Sequence, residues 1–150
     1  MALITAVVTA KAREKLPKMW GGLTSPFKLI TKFKVGEGGW VNTPPVERRQ
    51  PNPALTDLDI ITNPGLYTVH ATPTFTKVLV IGDFVFETPS TLKVTCTLAP
   101  ADYNSNGTGS PEIWEIGLFD DDLDMLAYAT FPKQIKTVAA SLSNIIRILF

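Results

Sequence analysis

Pro111-Glu112-Ile113-Trp114-Glu115-Ile116-Gly117-Leu118-Phe119-Asp120 runs through an acidic turn, Asp121-Asp122-Leu123-Asp124, into Met125-Leu126-Ala127-Tyr128-Ala129-Thr130-Phe131-Pro132. The stretch reads as a β-hairpin. Side chains alternate along a strand, so Trp114, Ile116 and Leu118 share one face, and Ile113, Glu115, Gly117 and Phe119 share the other. Both faces are largely apolar, which predicts a strand covered on both sides. Four Asp in the five residues 120–124 cannot continue into a core, so the chain turns there. Gly117 has no Cβ and admits a neighbouring backbone or ring at close range.

On the N-terminal side of the hairpin, residues 91–98 alternate with Leu92, Val94, Cys96 and Leu98 on one face, a third apolar strand. Residues 77–87 read as a strand interrupted at Gly82-Asp83, and residues 66–72 as another, with Tyr67, Val69 and Ala71 on one side. Between 100 and 111 lies a polar loop. Residues 27–35 place Leu29, Thr31, Phe33 and Val35 on one face and Lys28, Lys32 and Lys34 on the other. Downstream, Ile145, Ile146 and Ile148 are β-branched and favour a closing strand over a helix. At the start of the chain, Leu3, Ile4, Val7 and Val8 stack at helical spacing, with Ala12 and Leu16 extending the stripe and Lys11, Arg13, Glu14 and Lys15 on the solvent side. A helix over 3–16 follows, ended by Pro17 because the residue before proline avoids helical geometry.

Residues 41–53 carry Pro44, Pro45, Pro51 and Pro53 with Glu47, Arg48 and Arg49 between them. Proline removes donors and favours an extended path. Such an arm gains little by folding onto its own domain. With Trp40 as an apolar anchor, it is expected to lie on another chain, with Gly36, Gly38, Trp40, Pro44, Pro45, Arg48 and Arg49 as the interacting residues. A solvated connector is the plainer alternative. The sum is one α+β domain over residues 1–150: a mostly antiparallel sheet, an N-terminal helix packed on it, and an extended proline-rich arm.

Composition narrows the function. Fourteen basic residues balance fourteen acidic ones. Zero net charge offers no electrostatic case for nucleic acid or a membrane surface. No apolar run approaches a span of about 20 residues, and residues 1–12 lack the basic leader and cleavage site of a signal peptide. Cys96 is the only cysteine, so no internal disulfide forms, and its apolar face makes it a core thiol. His70 is the only histidine and has no partners for a metal or a catalytic group. Gly36-Glu37-Gly38-Gly39 is not a dinucleotide fingerprint: position 41 is Val, and Pro44-Pro45 forbids the helix that must follow. Asp120, Asp122 and Asp124 fail the calcium-loop pattern, because Met125 and Phe131 stand where Gly and Glu are needed. No catalytic constellation, cofactor or metal site is expected, and no enzyme.

The hairpin also carries a resemblance. Glu115-Ile116-Gly117-Leu118-Phe119-Asp120, the acidic turn and Leu126-Ala127-Tyr128-Ala129 are similar to the E-I-G-L-F-D…L-A-x-A hairpin of the phage tail-collar fibre family. The family usually has a glycine in this turn, within D-x-D-G, and 120–124 has none. A second anchor is Ile30-Thr31-Lys32-Phe33-Lys34-Val35-Gly36-Glu37-Gly38-Gly39, which resembles the family's I-T-x-x-x-V-G-D-G-x-G segment with Glu37 for the usual Asp. Thr9, Ala12 and Leu16 stand in places comparable to the family's opening helix. The resemblance implies a structural virion protein of a contractile tail that attaches or bridges tail fibres to the baseplate. Its partners would be baseplate and tail-fibre proteins and identical copies, with a trimer as one form. A fibre would continue past Phe150 into a shaft, so the expected task is attachment without host recognition. The competing reading is a small carbohydrate- or ligand-binding β-module that uses Trp20, Trp40 and Trp114, which a glycan array would separate from the first.

Overall fold

The computed structural model describes residues 2–22, 29–36, 40–42, 49–51, 75–104 and 111–150. The acidic turn folds as a tight loop. The Asp120 side chain accepts from the backbone N–H groups of Asp122 (2.9 Å) and Asp124 (3.0 Å), and the Asp120 N–H donates to the Asp124 carbonyl. Asp bonds its own following backbone readily, which is why it can make such a turn. The turn joins β8 (Glu112–Phe119) to β9 (Met125–Ile135) in antiparallel register, with Ile116 opposite Ala129 and Gly117 opposite Tyr128. The ladder slips between Ile113 and Glu115. Ile113 therefore joins Ile116 and Leu118 in the main core instead of facing away from them.

The rest of the sheet grows from both sides of this hairpin. β2 (Lys32–Gly36) lies antiparallel to β8, and β5 (Thr76–Val78) lies outside β2. On the other side follow β1 (Ala2–Val8), β10 (Leu142–Leu149), β7 (Thr91–Leu98) and β6 (Phe84–Thr88). The order β5-β2-β8-β9-β1-β10-β7-β6 makes one eight-stranded sheet, curled into a half-barrel. Its two edge strands, β5 and β6, are consecutive in the chain and joined by residues 79–83, which include a 3-10 turn at Ile81–Asp83. The alternating residues of β7, β10, β1 and β9 converge on the inside. Val94, Cys96 and Leu98 meet Ile146 and Ile148, Ile4 and Ala6, and Ala127, Ala129 and Phe131.

The expected α+β architecture is corrected here: the protein is mostly β, with one short helix among the described residues. The cause lies in residues 2–8. Ile4, Val7 and Val8 fit a helical stripe, but Ile4 and Ala6 are buried while Thr5 is exposed, the period of a strand. Four β-branched residues in that run, Ile4, Thr5, Val7 and Val8, favour the pleat. As β1 they pair parallel to β10 and, at Val7 and Val8, antiparallel to β9. The sheet is consequently mixed and not simply antiparallel. Helix α1 (Ala10–Trp20) begins only after Thr9 and runs through Pro17. It stops at Gly21, with Gly22 at φ +67°, a conformation glycine adopts freely.

The expected extended arm is corrected in part as well. Its ends, β3 (Trp40–Asn42) and β4 (Arg49–Pro51), form a short antiparallel pair with Val41 opposite Gln50, and β4 touches β9. Residues 43–48 lie outside the described residues, as do the expected strand at 66–72 and His70.

Candidate functional site

The two motif-bearing stretches, about 80 residues apart in sequence, are neighbours in the sheet. Val35 pairs with Ile116 and Gly36 with Glu115. Gly36 is buried, and a Cβ there would lie 2.9 Å from Glu115 Cγ. Only glycine leaves that space to the glutamate. Glu115 is 1 % exposed, and its carboxylate accepts the phenolic O–H of Tyr128, itself buried on β9. Burial first, and the adjacent carboxylate second, push the Tyr128 hydroxyl far above its ordinary range, so it remains a donor. Phe119 lies fully buried on this same second face, with the Lys34 ammonium 5.0 Å from its ring centre, a cation–π contact. The strand is thus covered on both sides.

At the other end of β8, Asp120 is wholly buried and its free carboxylate oxygen meets the Lys15 ammonium from α1. Lys15 Nζ is also 2.5 Å from Asp124 Oδ2 and 3.3 Å from Asp122 Oδ2. Burial pulls the lysine's proton affinity down, but the hydrogen bonds to Asp120 and Asp124 outweigh it and the net shift is upward. The Asp120, Asp122 and Asp124 oxygens lie within 4.8 Å of one another, a spacing that suits a cation, and the lysine ammonium sits against all three. Sequence reading placed Lys15 on the solvent side of a helix. The partner is 105 residues away, so no local pattern could reveal it.

Of the residues expected to form an interaction surface, Gly36 is buried inside the sheet. Trp40 begins β3 opposite Pro51, and Arg49 begins β4 opposite Asn42, at the other end of that short ladder. Gly38, Pro44, Pro45 and Arg48 lie outside the described residues. The hairpin residues Trp114, Glu115, Ile116, Gly117, Leu118, Phe119 and Asp120 are all buried. Trp114 is therefore not available to stack on a sugar, whereas Trp20, at the end of α1, is 80 % exposed. Cys96 is buried, which raises its thiol pKa and keeps it protonated. No described helix is long and apolar enough to cross a membrane. Neither family models, curated proteins nor solved structures provide a match to this chain.

Proposed function

We propose that this chain is a structural, non-enzymatic component of a contractile phage tail, which attaches or bridges tail fibres to the baseplate as one of several identical copies. The observation that carries the reading is the pairing of Gly36 with Glu115. The two stretches that resemble the tail-collar fibre family fold against each other, and the glycine of one is required by the glutamate of the other. In this reading the hairpin is scaffold. The segment between β3 and β4, residues 43–48 with Pro44, Pro45 and Arg48, reaches the partner, which is a baseplate or fibre protein or a second copy.

Replacement of residues 43–48 by Asn-Gly tests this, because a two-residue turn of that type closes a hairpin and preserves the β3–β4 pair. The shortened chain is expected to fold with an unchanged melting profile and to be lost from purified tail particles. Normal occupancy would reduce the segment to a connector. Absence of the unaltered chain from tails imaged at residue resolution would overturn the whole reading.

A further inference from the structure

Among the described residues, polar contacts at two points tie helix α1 to the sheet. Thr9 fixes its start: its N–H donates to the Leu126 carbonyl at 3.0 Å and its hydroxyl to the Met125 carbonyl at 2.5 Å. Further along, the Lys15 ammonium reaches Asp120, Asp122 and Asp124 in the β8–β9 turn. Apolar packing adds little to these. Of the described α1 side chains, Ala12 alone is buried and Leu16 is half-buried, while Arg13, Glu14, Pro17, Lys18 and Trp20 are exposed. The curl of the sheet leaves an apolar cavity of about 560 Å³, with Ala12 and Leu16 on one side and Phe84, Leu92 and Ile148 of the sheet among its other walls. Lys11 and Lys18 pair with Glu14 along the helix surface, at 3.6 and 2.6 Å, which ties the helix to itself and not to the sheet.

Helices shorter than about 12–15 residues are marginal in water, and most owe their stability to an apolar face packed on the protein. Helix α1 has 11 residues, and Pro17 lies inside it. A proline there removes the bond that residue 17 would make to the Arg13 carbonyl. Past its capped first turn, the helix therefore depends on Lys15. The sheet does not depend on the helix in the same way: β1, ahead of Thr9, is paired along its length with β10 and β9. We propose that α1 opens as a unit of its own while the sheet stays folded, with Thr9 as the hinge and the Lys15 contacts as the latch. Opening carries Ala12 and Leu16 away from the cavity and exposes its apolar inner wall, so the latch sets how often that wall meets solution. This inference does not depend on the tail reading.

Hydrogen exchange of the full chain, followed amide by amide in urea from zero to just below the unfolding transition, tests it. A local opening exposes little surface, so exchange through it depends weakly on urea, whereas exchange through global unfolding depends steeply. The α1 amides of residues 14–16 and 18–20 are expected to exchange faster than those of residues 144–148 in β10, and with the weak urea dependence. Lys15→Met should speed α1 exchange in the absence of urea by about tenfold or more, the worth of a hydrogen bond to a charged group. Lys18→Met, which removes only the exposed pair with Glu14, should change it by less than about twofold. The β10 amides report in the same experiment that each variant is folded. If the α1 amides share the rate and the urea dependence of β10, helix and sheet form one cooperative unit and the proposal is overturned. If Lys15→Met speeds α1 exchange no more than Lys18→Met does, Lys15 is not the latch and the proposal is overturned as well.

Discussion

Gly36 and Glu115 are direct partners across the β2–β8 ladder, and the missing side chain of one makes room for the carboxylate of the other. A methyl group on Gly36 would press on Glu115 Cγ and Cδ, at 2.9 and 3.0 Å. Both residues are buried, so the clash cannot be relieved into solvent. Overpacking of this kind costs about 1–3 kcal/mol. Gly36→Ala should therefore lower the urea midpoint by a corresponding amount. Adding Glu115→Ala to it should cost much less than the sum of the two single changes. Strict additivity would show that the two side chains do not compete for space.

β7 is legible in the sequence because a half-buried strand writes its period of two directly into residue type, β10 because Ile145, Ile146 and Ile148 are β-branched, and the hairpin because an apolar stretch runs into four Asp in five residues. Val94, Cys96 and Leu98 are buried, and so are Asn144, Ile146 and Ile148. Residues 3–8 are ambiguous for a physical reason: Ile4 and Val8, four apart, satisfy both the period of a helix and that of a strand. The parallel partner that resolves the ambiguity, β10, lies more than 130 residues downstream. Gly36 is visible in sequence only as a turn glycine. Its actual role depends on the side chain across the ladder. The curl of the sheet, and hence the cavity, leaves no local trace.

Leu123 has φ +63°, the left-handed region, in the turn where the resembling family has a glycine. A side chain there costs about 1–2 kcal/mol in local strain, while glycine costs up to about 1 kcal/mol through the freedom it adds to the unfolded chain. Leu123 is 55 % exposed, so little packing is lost on its removal. Leu123→Gly should raise stability by about 0.5 kcal/mol and the melting temperature by a few degrees. A lower melting temperature would mean that the leucine packs on something this argument omits.

Lys15 sets an alkaline limit to stability. Its proton affinity is raised in the folded state, because its hydrogen bonds to Asp120 and Asp124 outweigh the opposing burial. A raised pKa stabilises fully below the unfolded value of 10.5, and the contribution is lost as pH climbs from there through the folded value. Stability measured by urea denaturation should fall above about pH 10.5 in the unaltered chain. Lys15→Met should lose about 1.5–3 kcal/mol at neutral pH, the worth of hydrogen bonds to charged groups. It should also flatten the part of the alkaline decline that belongs to this group. An unchanged slope would assign the decline to other residues.

Thr9 is the joint between the strand that sequence reading missed and the helix that follows it. Its hydroxyl donates to the Met125 carbonyl at 2.5 Å and accepts from the Ala12 N–H at 3.3 Å, and its own carbonyl receives the Arg13 N–H. One buried side chain thus caps α1 and ties the helix start to the first residue of β9. Loss of a helix cap costs about 1 kcal/mol. An unsatisfied buried carbonyl adds about 1–3 kcal/mol. Thr9→Val keeps the volume and removes both bonds, so it should destabilise the protein by about 2–4 kcal/mol. Thr9→Ser keeps the oxygen and loses one methyl, and should cost no more than about 1 kcal/mol. The contrast between the two isolates the hydroxyl from the packing. If serine proves as damaging as valine in urea denaturation, the joint is held by the methyl group against its neighbours, and the cap contributes little.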